Sequence, residues 1–528
     1  GRIPYRSTLL EKKRLISGRH LAGDIDNLAR YLIKISVHDR YGRDITPYGL
    51  KRALVEVMAH FSVYRTYVNG DSRRSEDPDL IRRAVTETLR ENRGMRYEVR
   101  FIERYLLKAF DSSLPASERE AAVGFVMRFQ QLTGPLMAKA VEDTLFYVYN
   151  RFISLNEVGG EADRFGVTAD RFHDFNRRKL ATFPHSLSAS STHDTKRGED
   201  VRARLNVLSE IPREWKAAVR VWQRLNLKRK REVDGVPAPD ANDEYFLYQT
   251  LMGAFPFDLG EIGNFAGRIR EHVVKAAREA KVHTDWLNPD EDYETACKSF
   301  VDEILKDSED NPFLQSFSPL QRKVAHFGMV NSLSQTLLKI TAPGVPDFYQ
   351  GSELWDLRLV DPDNRTPVDF GRRFALLESL RQSSASPADL IAELMENKED
   401  GRLKLHLIRR ALHARRDHQE LFAFGDYVPL KVAGKCGRHL LAFARKRGHS
   451  WAVTIAPRLC VALMKGKMAF PLGAGVWEDT VVTLPEGAPR HWEEALTGTR
   501  LECRRKIVVG RALELFPAAL LLATEERI

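Results

Sequence analysis

The residues with the clearest potential for chemistry form the run Ser-Thr-His-Asp-Thr-Lys-Arg at positions 191–197. Within it, His193 and Asp194 place an imidazole beside a carboxylate, two groups that often hold or transfer protons at active sites. The pair follows residues 187–191, a small and extended stretch typical of a short strand. It therefore lies at a predicted strand-to-helix turn, where a (β/α)8 barrel carries its catalytic residues. The alternative is that Asp194 is only a helix N-cap.

Apolar residues that recur every three to four positions indicate the helix that follows this turn. They are Val201, Leu205, Leu208, Ile211, Trp215, Val219 and Trp222. The spacing predicts one long amphipathic helix on the downstream side of the His-Asp pair.

A second informative segment begins at Gly344 and reads Gly-Val-Pro-Asp-Phe-Tyr-Gln-Gly-Ser-Glu-Leu-Trp. Residues 359–370 then read Leu-Val-Asp-Pro-Asp-Asn-Arg-Thr-Pro-Val-Asp-Phe. The apolar run at 336–340, ahead of both, predicts another barrel strand.

These segments resemble the α-amylase clan, whose seventh barrel strand ends in a His-Asp pair and whose eighth is followed by a loop containing glycine, proline and tyrosine. Further motifs resemble one family of that clan, the maltooligosyltrehalose synthases, and the resemblance runs from about Glu11 to the end of the chain. These motifs lie at 61–67, 130–135, 154–160, 182–185, 199–206 and 277–284. The resemblance implies an α/β fold: the C-terminal part of a (β/α)8 barrel with large helical insertions.

The resemblance also implies an isomerase of trehalose biosynthesis with a retaining mechanism. It would convert the reducing-end α-1,4 linkage of maltooligosaccharides into an α,α-1,1 linkage. Asp194 would stabilise the oxocarbenium-like transition state, and His193 would donate a hydrogen bond to the same sugar or merely orient Asp194. Lys196 and Arg197 either keep Asp194 ionised by Coulomb attraction or face solvent.

Isomerisation requires that the cleaved glucose stays bound, turns and attacks the glycosyl intermediate while water is excluded. The resemblance places the groups that grip this glucose near Lys139, Arg151, Asn156 and Glu157. Neighbouring aromatic residues are either stacking faces for sugar or part of the core, and a second charged cluster is expected to be structural. The aromatic residues are Tyr147, Tyr149 and Phe152, and the cluster comprises Arg278, Glu279, Lys281 and Trp286.

The loop after the eighth strand faces the active site throughout the clan, which favours a substrate-binding role for Asp361 and Arg365. An arginine can contact a carboxylate or a sugar hydroxyl as a fork of donors. The alternative is an Asp-Pro-Asp-Asn turn that carries ordinary surface charges.

Two catalytic carboxylates expected of this family are not evident. A retaining enzyme holds a nucleophile and an acid about 5 Å apart, and in the family these belong to a Gly-x-Arg-x-Asp motif and a Glu-containing strand end. Residues 23–26 lack the arginine, and residues 11–14 are interpreted as the solvated start of a helix. The chain is therefore expected to supply one of three carboxylates and to need the N-terminal portion of the same enzyme.

The pattern along the chain predicts three regions. Residues 1–180 are a helix-rich inserted subdomain, and residues 181–420 hold the last barrel strands and helices, with a helical insertion at about 241–325. Short strand candidates bounded by Gly and Pro indicate an antiparallel β-sandwich at 421–528. Because a parallel sheet is normally closed and covered, the isolated chain is expected to be marginally folded, oligomeric or complexed.

Composition excludes several classes of protein. The net charge of +10 is a small difference between 82 basic and 72 acidic residues, so a nucleic-acid partner is not expected. No apolar run approaches about 18 residues, which argues against a membrane span and makes the cytoplasm the expected location. The four scattered cysteines fit neither a zinc site nor a disulfide framework, and neither a metal nor another cofactor is expected.

The expected substrate is a linear α-1,4-glucan, and a trehalose-releasing hydrolase is the expected neighbour in the pathway. Two other functions stay open at this point: an α-glucan hydrolase of the same clan, and a non-catalytic glucan-binding fragment. Reducing ends separate the two enzymes, because hydrolysis raises their number and isomerisation lowers it.

Overall fold

The computed structural model describes residues 4–37, 39–69 and 74–524. The chain divides into two compact units. The first, called the helical unit, comprises residues 1–152, 160–163 and 275–290. The second, called the mixed unit, comprises residues 153–159, 164–274 and 291–528. The predicted boundaries at 180 and 420 stay predictions.

Six α-helices build most of the helical unit and enclose an apolar core. The third begins with Pro47 after Thr46, whose side chain accepts a hydrogen bond from the Gly49 amide at 3.0 Å, a typical N-cap. The helices are α1 Tyr5–Arg19, α2 Ala22–Ile35, α3 Pro47–Ala59, α4 Asp77–Glu91, α5 Arg96–Lys108 and α6 Ala116–Met137, and a π-helical segment, Ala138–Leu145, follows.

The interpretation of residues 11–14 as the solvated start of a helix was wrong. They lie in the middle of α1, and the Lys13 side chain is buried, with its Nζ donating a hydrogen bond to the Phe61 carbonyl at 2.7 Å. Lysine stems pack well against apolar surface, so a charged run in the sequence does not by itself identify an exposed face. Burial lowers the pKa of Lys13 to about 8.

This lowered pKa gives a pH-dependent prediction for Lys13→Met. The unfolded chain binds a proton at this lysine up to its ordinary pKa near 10.5, whereas the folded chain releases it near 8, so stability rises with pH between the two values. The wild type should gain about 2 kcal/mol over Lys13→Met between pH 7.5 and 9.5. Urea unfolding of both proteins at the two pH values measures this gain, and a constant difference would contradict it.

Eleven α-helices of six or more residues in the described chain belong wholly or largely to the mixed unit. The predicted helices near 374–381, 387–396 and 403–416 are confirmed. The helices are α7 Ala169–Thr182, α8 Glu199–Val207, α9 Pro212–Asn226, α10 Ala241–Ala254, α11 Ile262–Ala280, α12 Glu291–Ile304, α13 Pro312–Thr341, α14 Phe370–Gln382, α15 Pro387–Glu396, α16 Arg402–Asp417 and α17 Gln419–Phe424.

The prediction of one long helix after the His-Asp turn was wrong, because α8 ends at Val207 and α9 begins at Pro212. Proline has no N–H to continue a helix, and it disfavours helical geometry at the residue before it. Ile211 accordingly adopts φ −124° and ψ 44°. Apolar residues keep a spacing of three to four across the break. The spacing alone therefore did not reveal that one helix ends and another begins here.

The predicted strand at 336–340 was also wrong, because these residues form the end of the 30-residue helix α13. Leu333, Leu337 and Ile340 are all fully buried, and their spacing of four and three places them on one helical face. A five-residue apolar window cannot separate a buried helix from a strand. The strand follows the helix instead, at Val345–Asp347 (β4).

Strand β4 pairs in parallel with β1, Leu187–Ala189, which forms the first part of the strand predicted at 187–191, with Leu187 opposite Val345 and Ala189 opposite Asp347. Gly344 precedes β4 with φ +112°, and a Cβ there would lie 2.5 Å from Lys179 Nζ and 2.7 Å from the Ser186 carbonyl oxygen. Only glycine fits at this connection between α13 and β4, where the backbone passes close to residues 179 and 186.

The C-terminal part of the mixed unit is antiparallel, as predicted. A six-stranded sheet has the order β11-β10-β13-β8-β7-β5, and a three-stranded sheet has the order β12-β9-β6. Side chains from both sheets share one apolar core. The strands are β5 Asp426–Pro429, β6 Lys431–Ala433, β7 Leu440–Arg447, β8 Ser450–Pro457, β9 Val481–Thr483, β10 His491–Glu494, β11 Arg500–Glu502, β12 Lys506–Val508 and β13 Ala519–Ala523; a separate hairpin pairs β2 Arg231–Val233 with β3 Val236–Ala238.

None of the helices in the described part of the chain is both long and apolar enough to cross a membrane.

Candidate functional site

The His-Asp pair lies in a tight turn between β1 and α8. The helix begins at Glu199 with Gly198 as its N-cap, so the alternative that Asp194 caps this helix is excluded. His193 Nε2 lies 3.2 Å from Asp194 Oδ2, and the two side chains are 63% and 65% exposed. A carboxylate and an imidazole are thus presented to solvent at the carboxyl end of a parallel strand, where a bound molecule can reach them.

Glu157 holds the turn from one side. Its carboxylate accepts hydrogen bonds from the backbone amides of Lys196, at 2.7 Å, and Arg197, at 3.3 Å. The Arg202 guanidinium lies 3.6 Å from the same carboxylate and offsets its charge. Bonds of this kind, from backbone N–H groups to an ionised oxygen, are stronger than neutral ones.

Lys196 and Arg197 are both buried, so the alternative that they face solvent is wrong. The Arg197 guanidinium donates to the Asn156 carbonyl at 3.2 Å and lies 5.5 Å from the centre of the Phe246 ring. Asn156 is itself 1% exposed. These side chains form the buried support of the turn.

The loop that carries Asp361 and Arg365 holds the turn from the other side. Residues 197 and 359 form an antiparallel bridge, and the Gly198 amide donates to the Arg358 carbonyl at 2.8 Å. Asn364 Nδ2 donates to the His193 carbonyl at 2.9 Å. Sequence reasoning missed Asn364, although it lies inside a segment already singled out.

Asp361 and Arg365 remain on the surface of this loop. Arg365 Nε lies 2.8 Å from Asp361 Oδ1, and the side chains are 56% and 36% exposed respectively. Asp363, between them, points inward, and its carboxylate receives two bonds from Arg268, at 2.8 and 2.7 Å, and one from the Leu359 amide at 2.6 Å. The loop thus presents a charged pair above a rigid base.

Lys139 and Arg151 belong to the helical unit, unlike the other candidate residues. Lys139 Nζ pairs with Asp143 at 2.7 Å on an exposed face, and the Arg151 side chain is exposed. Tyr147 and Tyr149 are buried, as expected of core residues. Within the same unit, Lys281 donates to the Thr144 hydroxyl at 3.1 Å and Arg278 covers the Trp286 ring, so this cluster has packing partners.

A buried ionic network lies beneath the turn, at the start of α8. Lys404 Nζ donates to Glu199 at 2.6 Å, to Asp200 at 2.8 Å and to the Leu354 carbonyl at 3.2 Å. Lys339 Nζ donates to Glu199 at 3.3 Å, so two cations face two carboxylates, all with little or no exposure. Sequence reasoning missed the network because its members lie far apart along the chain.

Burial and charge act in opposition on these groups. Burial raises the pKa of Glu199, but Lys404 and Lys339 outweigh it and lower that pKa to about 2. Burial and the neighbouring Glu199 raise the pKa of Asp200 above its ordinary value despite Lys404. Burial lowers the pKa of Lys404, but the two carboxylates more than compensate and raise it.

Gly198 allows the turn and the loop to touch. A Cβ at this position would lie 2.5 Å from the Asp356 carbonyl oxygen and 3.1 Å from that of Arg358. We expect Gly198→Ala to force the two backbones apart and to lower the free energy of unfolding by about 1–3 kcal/mol. Denaturant unfolding measures this loss. Gly263→Ala is the matched control, because a Cβ there meets nothing within 4 Å; equal stability of both variants would contradict the prediction.

Comparison with known proteins finds both related sequences and related solved structures. Over 373 residues, the chain is 39% identical to a Mycobacterium tuberculosis protein named as a maltooligosyl trehalose synthase, a match that covers 70% of this chain and 42% of that protein. The maltooligosyltrehalose synthase structure from Arthrobacter ramosus superposes with a TM-score of 0.80 at 31% identity, over 99% of this chain and 59% of that one.

A structure from Sulfolobus tokodaii, titled as a hypothetical maltooligosyl trehalose synthase, superposes with a TM-score of 0.70 at 29% identity, over 99% of this chain and 58% of that one. The matched region is thus less than half of the Mycobacterium tuberculosis relative and under two thirds of these solved chains. No model of a known protein family matches the chain.

Proposed function

Because the chain belongs to the maltooligosyltrehalose synthase family, we propose that it supplies His193 and Asp194 to an intramolecular transglucosylase. The enzyme would convert the reducing-end α-1,4 linkage of a linear maltooligosaccharide into an α,α-1,1 linkage. The observation that carries this proposal is the exposed imidazole–carboxylate pair after a parallel strand, with its turn held by the partly buried Glu157 on one side and the buried Asn364 on the other.

In this proposal β1 and β4 are the seventh and eighth strands of a (β/α)8 barrel. Their parallel pairing supports this, as does the exposure of apolar side chains at the pair, because Leu187 is 70% exposed and Val345 42% exposed. A groove of about 700 Å³ runs beside β1, and the half-exposed Phe175 lines it. The N-terminal portion of the same enzyme would cover this surface and close the sheet.

The proposed mechanism divides the chemistry between the two portions. The N-terminal portion would contribute the nucleophile and the acid, which a retaining reaction needs about 5 Å apart. Asp194 would hold hydroxyls of the reacting glucose and stabilise the positive charge of the transition state through its carboxylate. His193 would donate a hydrogen bond to the same sugar, and Asp361 and Arg365 would bind hydroxyls from the neighbouring loop.

Isomerisation adds a second requirement: the cleaved glucose must turn in place and attack through its own anomeric hydroxyl. The family resemblance implies Lys139 and Arg151 as contacts for this glucose, and they stay part of the proposal on that ground alone. Asn156 and Glu157, which were also expected to bind this glucose, have partners within the protein, as do Lys196 and Arg197 beside Asp194. We assign these four residues a supporting role, in which they fix the position of Asp194 rather than contact sugar.

Product analysis tests the proposed reaction. The chain, assembled with the N-terminal portion of a family member, is incubated with maltopentaose while reducing ends and free glucose are followed. Isomerisation lowers the number of reducing ends and releases little glucose. A rise in reducing ends would identify an α-glucan hydrolase of the same clan instead.

A further inference from the structure

The backbone of the His-Asp turn, rather than a partner of the Asp194 carboxylate outside the turn, determines where Asp194 points. Apart from their contact with each other, His193 and Asp194 extend into solvent. The orientation of the carboxylate therefore depends on the peptide groups of residues 193–197. Displacing a catalytic group by about 1 Å can reduce a rate by about a hundredfold.

Asn364 lies where it can fix this backbone. It is 5% exposed, and its Nδ2 donates to the carbonyl of His193, the residue that directly precedes Asp194. The Asn364 backbone carbonyl accepts the Tyr349 hydroxyl at 3.2 Å. The amide thus reaches the turn from a residue that is itself held in place.

The rest of the loop is rigid for electrostatic reasons. Asp363 forms a two-point ion pair with Arg268, a geometry that is both strong and directional. Arg358 is held by one ion-pair bond and one bond to the backbone, since its Nε donates to Asp356 at 2.7 Å and its Nη2 donates to the Gln350 carbonyl at 2.6 Å. Gly351, with φ +91°, leaves room for this guanidinium, because a Cβ there would lie 2.8 Å from Nη2.

The loop is also joined to the buried ionic network. The Asp356 amide donates to Asp200 Oδ2 at 2.6 Å, the oxygen that also accepts from Lys404. Hydrogen bonds therefore run from the network through Asp356 and Arg358 to the segment that carries Asn364. Glu157 completes the arrangement from the opposite side through the amides of residues 196 and 197.

We propose that Asn364 is a positioning residue. Together with Glu157, it holds the His193–Asp194 turn in one fixed position relative to the loop that carries Asp361 and Arg365, and the contacts of these two residues with the turn, those of Asn364 and Glu157, are called the clamp. This rests on the proposed function of Asp194. Asn364 would lower the barrier by keeping the carboxylate where charge develops, at no cost of rearrangement during the reaction. Its loss should therefore reduce kcat more than it changes KM.

Hydrogen exchange of this chain tests the clamp without a measurement of enzymatic activity. Asn364→Leu keeps the approximate volume of the side chain and removes the Nδ2 donor. Asn364→Asp keeps the shape of the side chain and also removes this donor. We expect the amides of residues 194–198 to exchange at least about tenfold faster in both variants. Asn176→Leu is the matched control, because Asn176 is 3% exposed and donates to the Phe172 carbonyl at 2.9 Å. Unchanged exchange at the turn, or an equal increase in the control, would overturn the proposal.

Kinetics of the assembled enzyme separate this proposal from the proposed function. We expect kcat of both Asn364 variants to fall about 10- to 100-fold, with KM within about twofold of the wild type. Normal kcat in these variants, with Asp194→Asn inactive, would contradict the clamp alone. Full activity of Asp194→Asn would contradict the proposed function, whatever the exchange result.

Discussion

Lys404→Met should lower the free energy of unfolding by about 3–5 kcal/mol at pH 7.5. Methionine fills a similar volume, so the loss arises from charge. The substitution leaves Glu199 and Asp200 buried beside Lys339 as the remaining cation of the network. Lys339 contacts Glu199. The desolvation cost of Asp200 would therefore be offset only in part, by the hydrogen bonds from the Ser332 hydroxyl and the Asp356 amide.

The pH dependence of this loss has a definite sign. In the wild type the pKa of Glu199 is depressed to about 2, so its contribution to stability is present above the unfolded pKa and disappears as pH falls. Without Lys404 both carboxylates bind protons more readily in the folded chain, which favours folding as pH falls. The difference between wild type and Lys404→Met should therefore narrow below about pH 4.5.

The matched control for this variant is Lys435→Met. Lys435 Nζ lies 2.7 Å from a carboxylate oxygen of Glu478, which is close to the distances in the Lys404 pairs. Both side chains of this control pair are exposed. Such pairs contribute little in water, so this variant should unfold like the wild type. Urea unfolding followed by circular dichroism measures both. A Lys404→Met protein as stable as Lys435→Met would show that the network does not support the fold.

Under the proposed function, Asp194→Asn should reduce turnover of the assembled enzyme, which is this chain with the N-terminal portion of a family member, by at least about a thousandfold. The amide has nearly the same shape but no negative charge, so it cannot stabilise an oxocarbenium-like transition state. Its oxygen still accepts hydrogen bonds from sugar hydroxyls. Affinity for maltooligosaccharides should therefore stay within about threefold of the wild type.

Asp174→Asn controls for the loss of an exposed carboxylate. Asp174 lies on α7, is 62% exposed and pairs only loosely with Arg177 at 3.2 Å. This variant should keep full turnover. Single-turnover rates and equilibrium binding of maltopentaose separate the two effects, and a near-normal rate for Asp194→Asn would remove that residue from the mechanism.

Patterns in the sequence predicted the secondary-structure elements whose formation depends on residues that are close together along the chain. The short strand at 187–189 lies within the stretch predicted at 187–191 from its small, extended residues, and β5, β7, β8 and β13 lie in or overlap short runs bounded by Gly and Pro that were predicted as strands. The break before Pro212 was missed because the apolar period runs through it. The strand assigned to 336–340 failed because apolar character alone does not distinguish a buried helix from a strand.

The chemistry of the site was only partly predictable for a different reason. His193 and Asp194 are adjacent in the sequence, so their pairing could be predicted directly. The partners that hold them come from distant positions, since Glu157 precedes the turn by 39 residues and Asn364 follows His193 by 171. The pairing of Glu199 with Lys404 spans 205 residues. Such contacts follow from tertiary packing and leave no local pattern.

Incubation of this chain with maltopentaose, alone and with the N-terminal portion of a family member, tests the central claim most directly. Reducing ends and free glucose are followed in both mixtures. We expect no reaction with the chain alone, and loss of reducing ends without matching release of glucose once the N-terminal portion is added. Loss of reducing ends by the chain alone would show that residues 1–528 contain a nucleophile and an acid, which contradicts the claim that Asp194 is the single catalytic carboxylate supplied here.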